Sequence, residues 1–250
     1  QPWDEEANIS LLCDRDSSRF IETGSSEPDE TVRGRSAELE LTEDGSLKGR
    51  LHESWSGHLN ASRRAELEDA QPDELDSLAL QMQDEDGAEL RLKDAVFERG
   101  GDESEPLGLA ARVELPRFAA VTSKRILLEP AVFFAHAKPR FTSSARQHSV
   151  YFRYPWTEID TVRVHLPPGW KVEDAHGAAP ITAESVAEYS ANVLVSDDRT
   201  QVLYLRRLEF GRGGNVFFPV ASYSGVKEFF DGVHVRDRLT LSIVRSESSP

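Results

Sequence analysis

The chain has one cysteine and one methionine in 250 residues. A single thiol excludes an internal disulfide framework and is compatible with either a reducing or an oxidising compartment. No apolar run approaches the roughly 18 residues that a membrane-crossing helix needs. There is no basic start followed by an apolar stretch, so no signal peptide is read in this sequence. Positive charge is in short supply: 29 Lys and Arg stand against 44 Asp and Glu, a formal net charge of -15. Such a surface repels phosphate backbones and anionic lipid, which argues against a nucleic-acid partner.

Recognisable reaction chemistry is also scarce. Cys13 is flanked by Asp14 and Asp16, which disfavour a thiolate, so it reads as incidental rather than nucleophilic. The seven histidines are scattered, and no HxxxH or CxxC spacing exists. His52 and His58 share a face of one expected strand but would stand roughly 20 Å apart. Asp84-Glu85-Asp86-Gly87 lacks the further acids of a calcium loop and reads as a solvated turn. Gly211-Arg212-Gly213-Gly214 lies between strands, with no helix N-terminus to make it a phosphate cradle. No Gly-x-Ser-x-Gly elbow is present, and nothing in the spacing favours a triad of distant residues. Catalytic, cofactor-binding and metal-binding residues are therefore all read as none. Asn60-Ala61-Ser62 fits a glycosylation sequon, which matters only in a eukaryotic secretory context. Trp156 and Trp170 flank one pair of expected strands. They are the candidate ligand-binding aromatics if their rings face outward, and core residues otherwise.

What the sequence does hold is alternation. Leu39 and Leu41 alternate with acids, Asp44-Gly45 signals a hairpin, and Leu47, Gly49, Leu51, Trp55 and Leu59 keep one parity. This predicts a long strand over 47–60, with Gly57 marking a bulge. Helical spacing follows over 61–84, opened in its second part by Pro72. Further strands are expected at 90–98, 107–118, 125–128, 131–134, 149–154, 159–166, 170–173, 193–195, 201–209 and 216–220. Tyr223, Val226, Phe230 and Val233 recur at helical spacing, with Ser222 or Ser224 as the cap. Leu239, Leu241 and Ile243 then alternate as a last strand. The expected fold is mainly β, an antiparallel β-sandwich with two short helices. Residues 1–35 read as an acidic extended arm or linker, anchored by Ile9, Leu11, Leu12, Phe20 and Ile21. Residues 36–247 read as the sandwich, with residue 145 as the point of division if there are two sub-sandwiches.

Several stretches carry a family likeness. They are Pro2-Trp3-Asp4-Glu5-Glu6, Arg19-Phe20-Ile21, Leu39-x-Leu41-x-x-Asp44-Gly45-x-Leu47-x-Gly49, Ser54-Trp55-x-Gly57, Leu166-Pro167-Pro168-Gly169-Trp170 and Tyr223-x-x-Val226-x-x-Phe229-Phe230. Together they resemble the C-terminal β-sandwich region of bacterial transglutaminase-like proteins, which have flanking domains of unknown function. The resemblance implies a periplasmic or secreted, non-catalytic accessory domain. Its partner would be a papain-like core of the same polypeptide, which it would support or gate, or a polypeptide or envelope component. The family's Cys-His-Asp triad belongs to that core, and Cys13 does not match its nucleophile. The alternative is a stand-alone sandwich that binds a glycan or a peptide.

Overall fold

In a computed structural model the described residues are 6, 9–15, 17–68, 70–71, 73–84, 90–98, 102 and 104–246. The connector Pro2-Trp3, Pro72 and the acidic turn Glu85–Gly87 lie outside them. The first elements among the described residues form a hairpin of β1 (Ile9–Cys13) and β2 (Ser18–Glu22), where an extended arm is expected. Four of its five supposed anchors are exposed: Ile9 is 78% accessible and Phe20 74%, with Leu11 and Leu12 also at the surface, while Ile21 is half-buried. Apolar character alone did not bury them: β1 and β2 pair only with each other, in a two-stranded sheet separate from the main one.

The body starts with β3 (Val32–Leu41), β4 (Leu47–Trp55), α1 (Gly57–Glu68), α2 (Leu75–Asp84), β5 (Arg91–Glu98) and β6 (Leu107–Leu115). Then come β7 (Ala120–Val121), β8 (Arg125–Leu128), β9 (Val150–Tyr151), β10 (Trp156–His165), β11 (Trp170–Asp174) and β12 (Ala178–Ala183). The chain closes with β13 (Ala187–Val195), β14 (Gln201–Phe210), β15 (Phe217–Phe218), α3 (Tyr223–Asp237) and β16 (Leu241–Arg245). The fold is mainly β, with three α-helices where two were expected. The stretch 61–84 expected as helical divides into α1 and α2, and α1 begins earlier, at Gly57. Leu59 keeps the parity of the preceding strand, but β4 ends at Trp55 and Gly57 turns the chain at φ +58 into the helix. Residues 131–134, read as strand, form a short 3-10 turn at Val132–Phe134. Ser222 holds the N-cap position of α3 without a side-chain capping bond.

Eight strands form the main sheet in the order β12-β13-β14-β10-β3-β4-β6-β5. All neighbours are antiparallel except β3 and β10, which run parallel from Val32↔Thr157 to Glu40↔His165. Strands from either side of residue 145 are therefore interleaved in one sheet. A second sheet, β11-β16-β8-β7, sits at the end where β3 turns into β4. There Trp170 Nε1 donates to Glu43 at 3.4 Å, and Arg199 donates to the Val172 carbonyl at 2.6 Å.

One hydrophobic core joins the two sheets. It draws on the inward parity of every long strand: Leu39 and Leu41, Leu47 and Leu51, Leu107 and Leu109, Val162 and Val164, Val202 and Tyr204, and Ile126, Leu241 and Ile243. Each fully buried Leu, Ile or Val of this set contributes about 1.5–3 kcal/mol relative to exposure. The opposite end of the main sheet is covered differently, by α3 and by segment 130–154, and there the site lies.

Candidate binding cleft

At the covered end the inward parity of the sheet changes from apolar to charged. Arg206 of β14, Asp160 of β10, Arg35 of β3 and Glu53 of β4 stand in direct cross-strand register. They make one rung of alternating sign across four strands, the arrangement in which opposite charges support each other across a sheet. Arg35 Nε donates to Asp160 at 2.6 Å, and Arg206 Nη1 donates to Asp160 at 3.0 Å. Arg33, one inward step along β3, pairs with Glu53. From α3, Asp237 accepts Arg206 Nε and Nη2 at 2.8 and 3.2 Å and the Tyr189 hydroxyl at 2.7 Å. Phe134 places its ring 3.9 Å from the Arg206 guanidinium carbon and 4.5 Å from that of Arg35. The 3-10 turn thus lies over the rung, with its rings stacked on the two cations.

Burial has opposite outcomes for two of these carboxyls. It opposes charge on Glu158, but the guanidiniums of Arg206, Arg35 and Arg33 outweigh it and hold the carboxyl at about 2. For Asp237 burial prevails over the bonds from Arg206 and Tyr189, and its carboxyl is raised above the usual range. Burial and the Asp237 charge also push the Tyr189 hydroxyl far above its ordinary value.

Beside the rung an aromatic cluster forms a wall. Phe152, Trp156, Phe210 and Phe230 meet with ring centroids 4.7–6.4 Å apart. Arg140 sets its guanidinium 5.0–5.2 Å from the rings of Phe230, Phe152 and Trp156. The loop bearing Arg140 is tied to α3 at Phe141 and Ser143. Their carbonyls accept from Lys227 at 2.7 Å and from the Tyr223 hydroxyl at 2.6 Å.

Between the wall, α3 and the loop a cleft of about 1070 Å³ opens to solvent. Arg33, Glu158, Arg206 and Asp237 reach its floor; Phe152, Trp156 and Phe230 line one side; His136, Lys138, Arg140, Arg153, His234 and Arg238 surround it with Tyr151 and Tyr154. Its described lining carries six Lys and Arg against two carboxylates, the reverse of the whole chain's balance. Tyr154 stacks on His58 at 5.1 Å, and His58 Nε2 lies 2.8 Å from Glu6, which also accepts the Ser26 backbone N–H at 3.0 Å. The Glu6 side chain is thereby held beside Tyr154 at the margin of the cleft. A smaller depression of about 480 Å³ lies on the sheet around Ser36, Ala110 and Thr161.

Of the two candidate tryptophans, Trp156 is 8% exposed in the cleft wall, its indole N–H donating to Glu158 at 3.1 Å. Trp170 is 3% exposed in the second sheet, under the Arg245 guanidinium, and does not reach the cleft. The structure does not bring the two to one surface. Cys13 is exposed on the N-terminal hairpin. Asn60 of the sequon is buried; its amide donates to the Glu105 carbonyl and accepts the Leu107 N–H, so the folded chain offers it to no glycan. Among the described residues no group of three His, Cys, Asp or Glu is disposed to hold a metal ion. No helix there is long and apolar enough to cross a membrane.

Sequence reasoning missed the rung. Its signal was available: Arg33, Arg35, Glu53, Glu158, Asp160 and Arg206 all fall on the inward parity set by their apolar strand-mates. Residues 124–243, from β8 into β16, match a family model described as Domain of Unknown Function with solved-structure structure (DUF3858). That description names no transglutaminase-like protein. Comparison with curated proteins and with solved structures gives no match. Over 124–243 the chain is thus similar to a domain of unknown function, and this stretch supplies most of the cleft.

Proposed function

We propose that the chain is a non-catalytic binding module that acts through the cleft. In this reading it is a periplasmic or secreted accessory β domain of a transglutaminase-like protein, supporting or gating a papain-like core or engaging a polypeptide partner. One observation carries the binding role: aromatic rings and cations face a common, solvent-open volume of about 1070 Å³. Binding sites combine an apolar surface with a few placed polar groups in this manner. The link to a core rests on the sequence likeness alone, from the Pro2-Trp3 connector to the Tyr223–Phe230 stretch.

The test is to mix the chain with the separately expressed core of its parent polypeptide. A complex, or a change in core activity that Lys138→Glu abolishes, is the expected result. Absence of both defeats the accessory role. The second reading, a stand-alone glycan- or peptide-binding module, is favoured by the position of Trp156 in the cleft wall. It predicts ligand binding without any core, weakened by Trp156→Ala.

A further inference from the structure

We infer that the cleft takes an acidic polypeptide segment, one in which Asp or Glu side chains accompany an aromatic or apolar residue. This rests on the binding role proposed above and specifies its ligand. Charge is the first argument. The two carboxylates of the lining, Glu158 and Asp237, are both engaged by Arg206, which makes bonds of 2.8 Å to each. The floor is therefore internally compensated, while Lys138 and Arg238 stand at the exposed rim, Arg238 sharing a 3.5 Å ion pair with Glu129 in which its side chain stays 53% exposed. A cationic mouth on a chain of net charge -15 attracts anions locally against the repulsion of the chain as a whole.

Size and surface chemistry are the second argument. A volume of about 1070 Å³ stands at the top of the range of small-molecule sites and has room for a few residues of a polypeptide segment. Phe152, Trp156 and Phe230 give an apolar or aromatic side chain a wall, while the rim cations meet its flanking carboxylates. A nucleic acid would meet the same wall, but its continuous phosphate charge would be repelled by the chain's net charge of -15. A neutral glycan would bring Lys138 no counter-charge and would leave Arg238 with its long 3.5 Å pair to Glu129 alone.

The experiment uses fluorescein-labelled peptides with a central Phe flanked by Asp and Glu, by Asn and Gln, or by Lys, together with neutral oligosaccharides and single-stranded DNA. The whole chain is titrated in each by fluorescence anisotropy. The acidic peptide should bind tightest, and its affinity should fall with added salt. Lys138→Glu and Arg238→Glu should each weaken it by roughly tenfold, the scale of about 1.4 kcal/mol. Arg163→Glu, an exposed residue on the outer parity of β10, should leave it unchanged. Equal binding of all three peptides would refute the charge preference while sparing the binding role. Preference for the oligosaccharide or the DNA would refute the ligand class. Binding of none of the probes would remove both this inference and the role on which it rests. Both reversals lie at exposed positions, and a retained unfolding midpoint verifies that they report on binding.

Discussion

Arg206 and Asp160 face each other across β14 and β10 at 3.0 Å, each with a side chain only 1% exposed. A pair so deeply desolvated persists because each member has further partners: Arg35 for the aspartate, Asp237 and Glu158 for the arginine. Removing one charge leaves the others uncompensated in a medium that screens poorly. Asp160→Asn should therefore cost about 3–5 kcal/mol in urea unfolding. Arg207→Ala, one residue away on the outer face, should change stability by no more than about 0.5 kcal/mol.

Acid should act on the same rung. The Glu158 carboxyl is held at about 2, against 4.5 for an unperturbed glutamate. A carboxyl lowered by folding contributes stability above its unfolded value, and that stability is lost as pH falls toward the folded value. Unfolding free energy should thus decline between pH 4.5 and about 2, and Glu158→Gln should flatten that part of the profile. Asp237 has the opposite sign. Its raised carboxyl contributes most below its unfolded value of 3.8, and that contribution is lost as pH rises through the folded value. Denaturant titrations of the wild type and of Asp237→Asn across pH would separate the two.

The handover from β4 to α1 depends on a residue without a side chain. Gly57 has φ +58, and a Cβ there would lie 2.7 Å from Thr31 Oγ1 and closer still to the Glu30 carbonyl oxygen. Gly57→Ala should destabilise by more than about 1 kcal/mol, since it adds backbone strain and a clash with main chain. Thermal unfolding read by circular dichroism would show the lowered midpoint.

Most of the sheet was legible because burial on one face imposes a period of two, as at Leu39, Leu41, Leu47 and Leu51. The same parity misled at Leu59, which sits in phase with β4 yet belongs to a helix. Phase does not reveal a change of period until the next turn is complete, and Gly57 reads equally well as a bulge. Pairing order was not legible at all. Nothing local in Val32–Leu41 shows that its neighbour is Trp156–His165 in parallel, because register between distant strands is set by the packed whole. The cleft was half visible. Trp156 was selected for its ring, and its counterpart Trp170 proved to belong to another sheet. The cations around the cleft come from separate segments and converge only on folding.

The parallel pairing of β3 with β10 has a consequence for how the chain is made. During synthesis the strand Val32–Leu41 emerges long before its neighbour exists, and β4 can cover only one of its edges. Arg35 must wait for Asp160, so the charged centre is assembled late, by a closure spanning much of the sequence. The front and rear halves are thereby committed to a single cooperative event. A rear fragment cut at the boundary of the family match would present β10 with a bare edge and unbalanced acids.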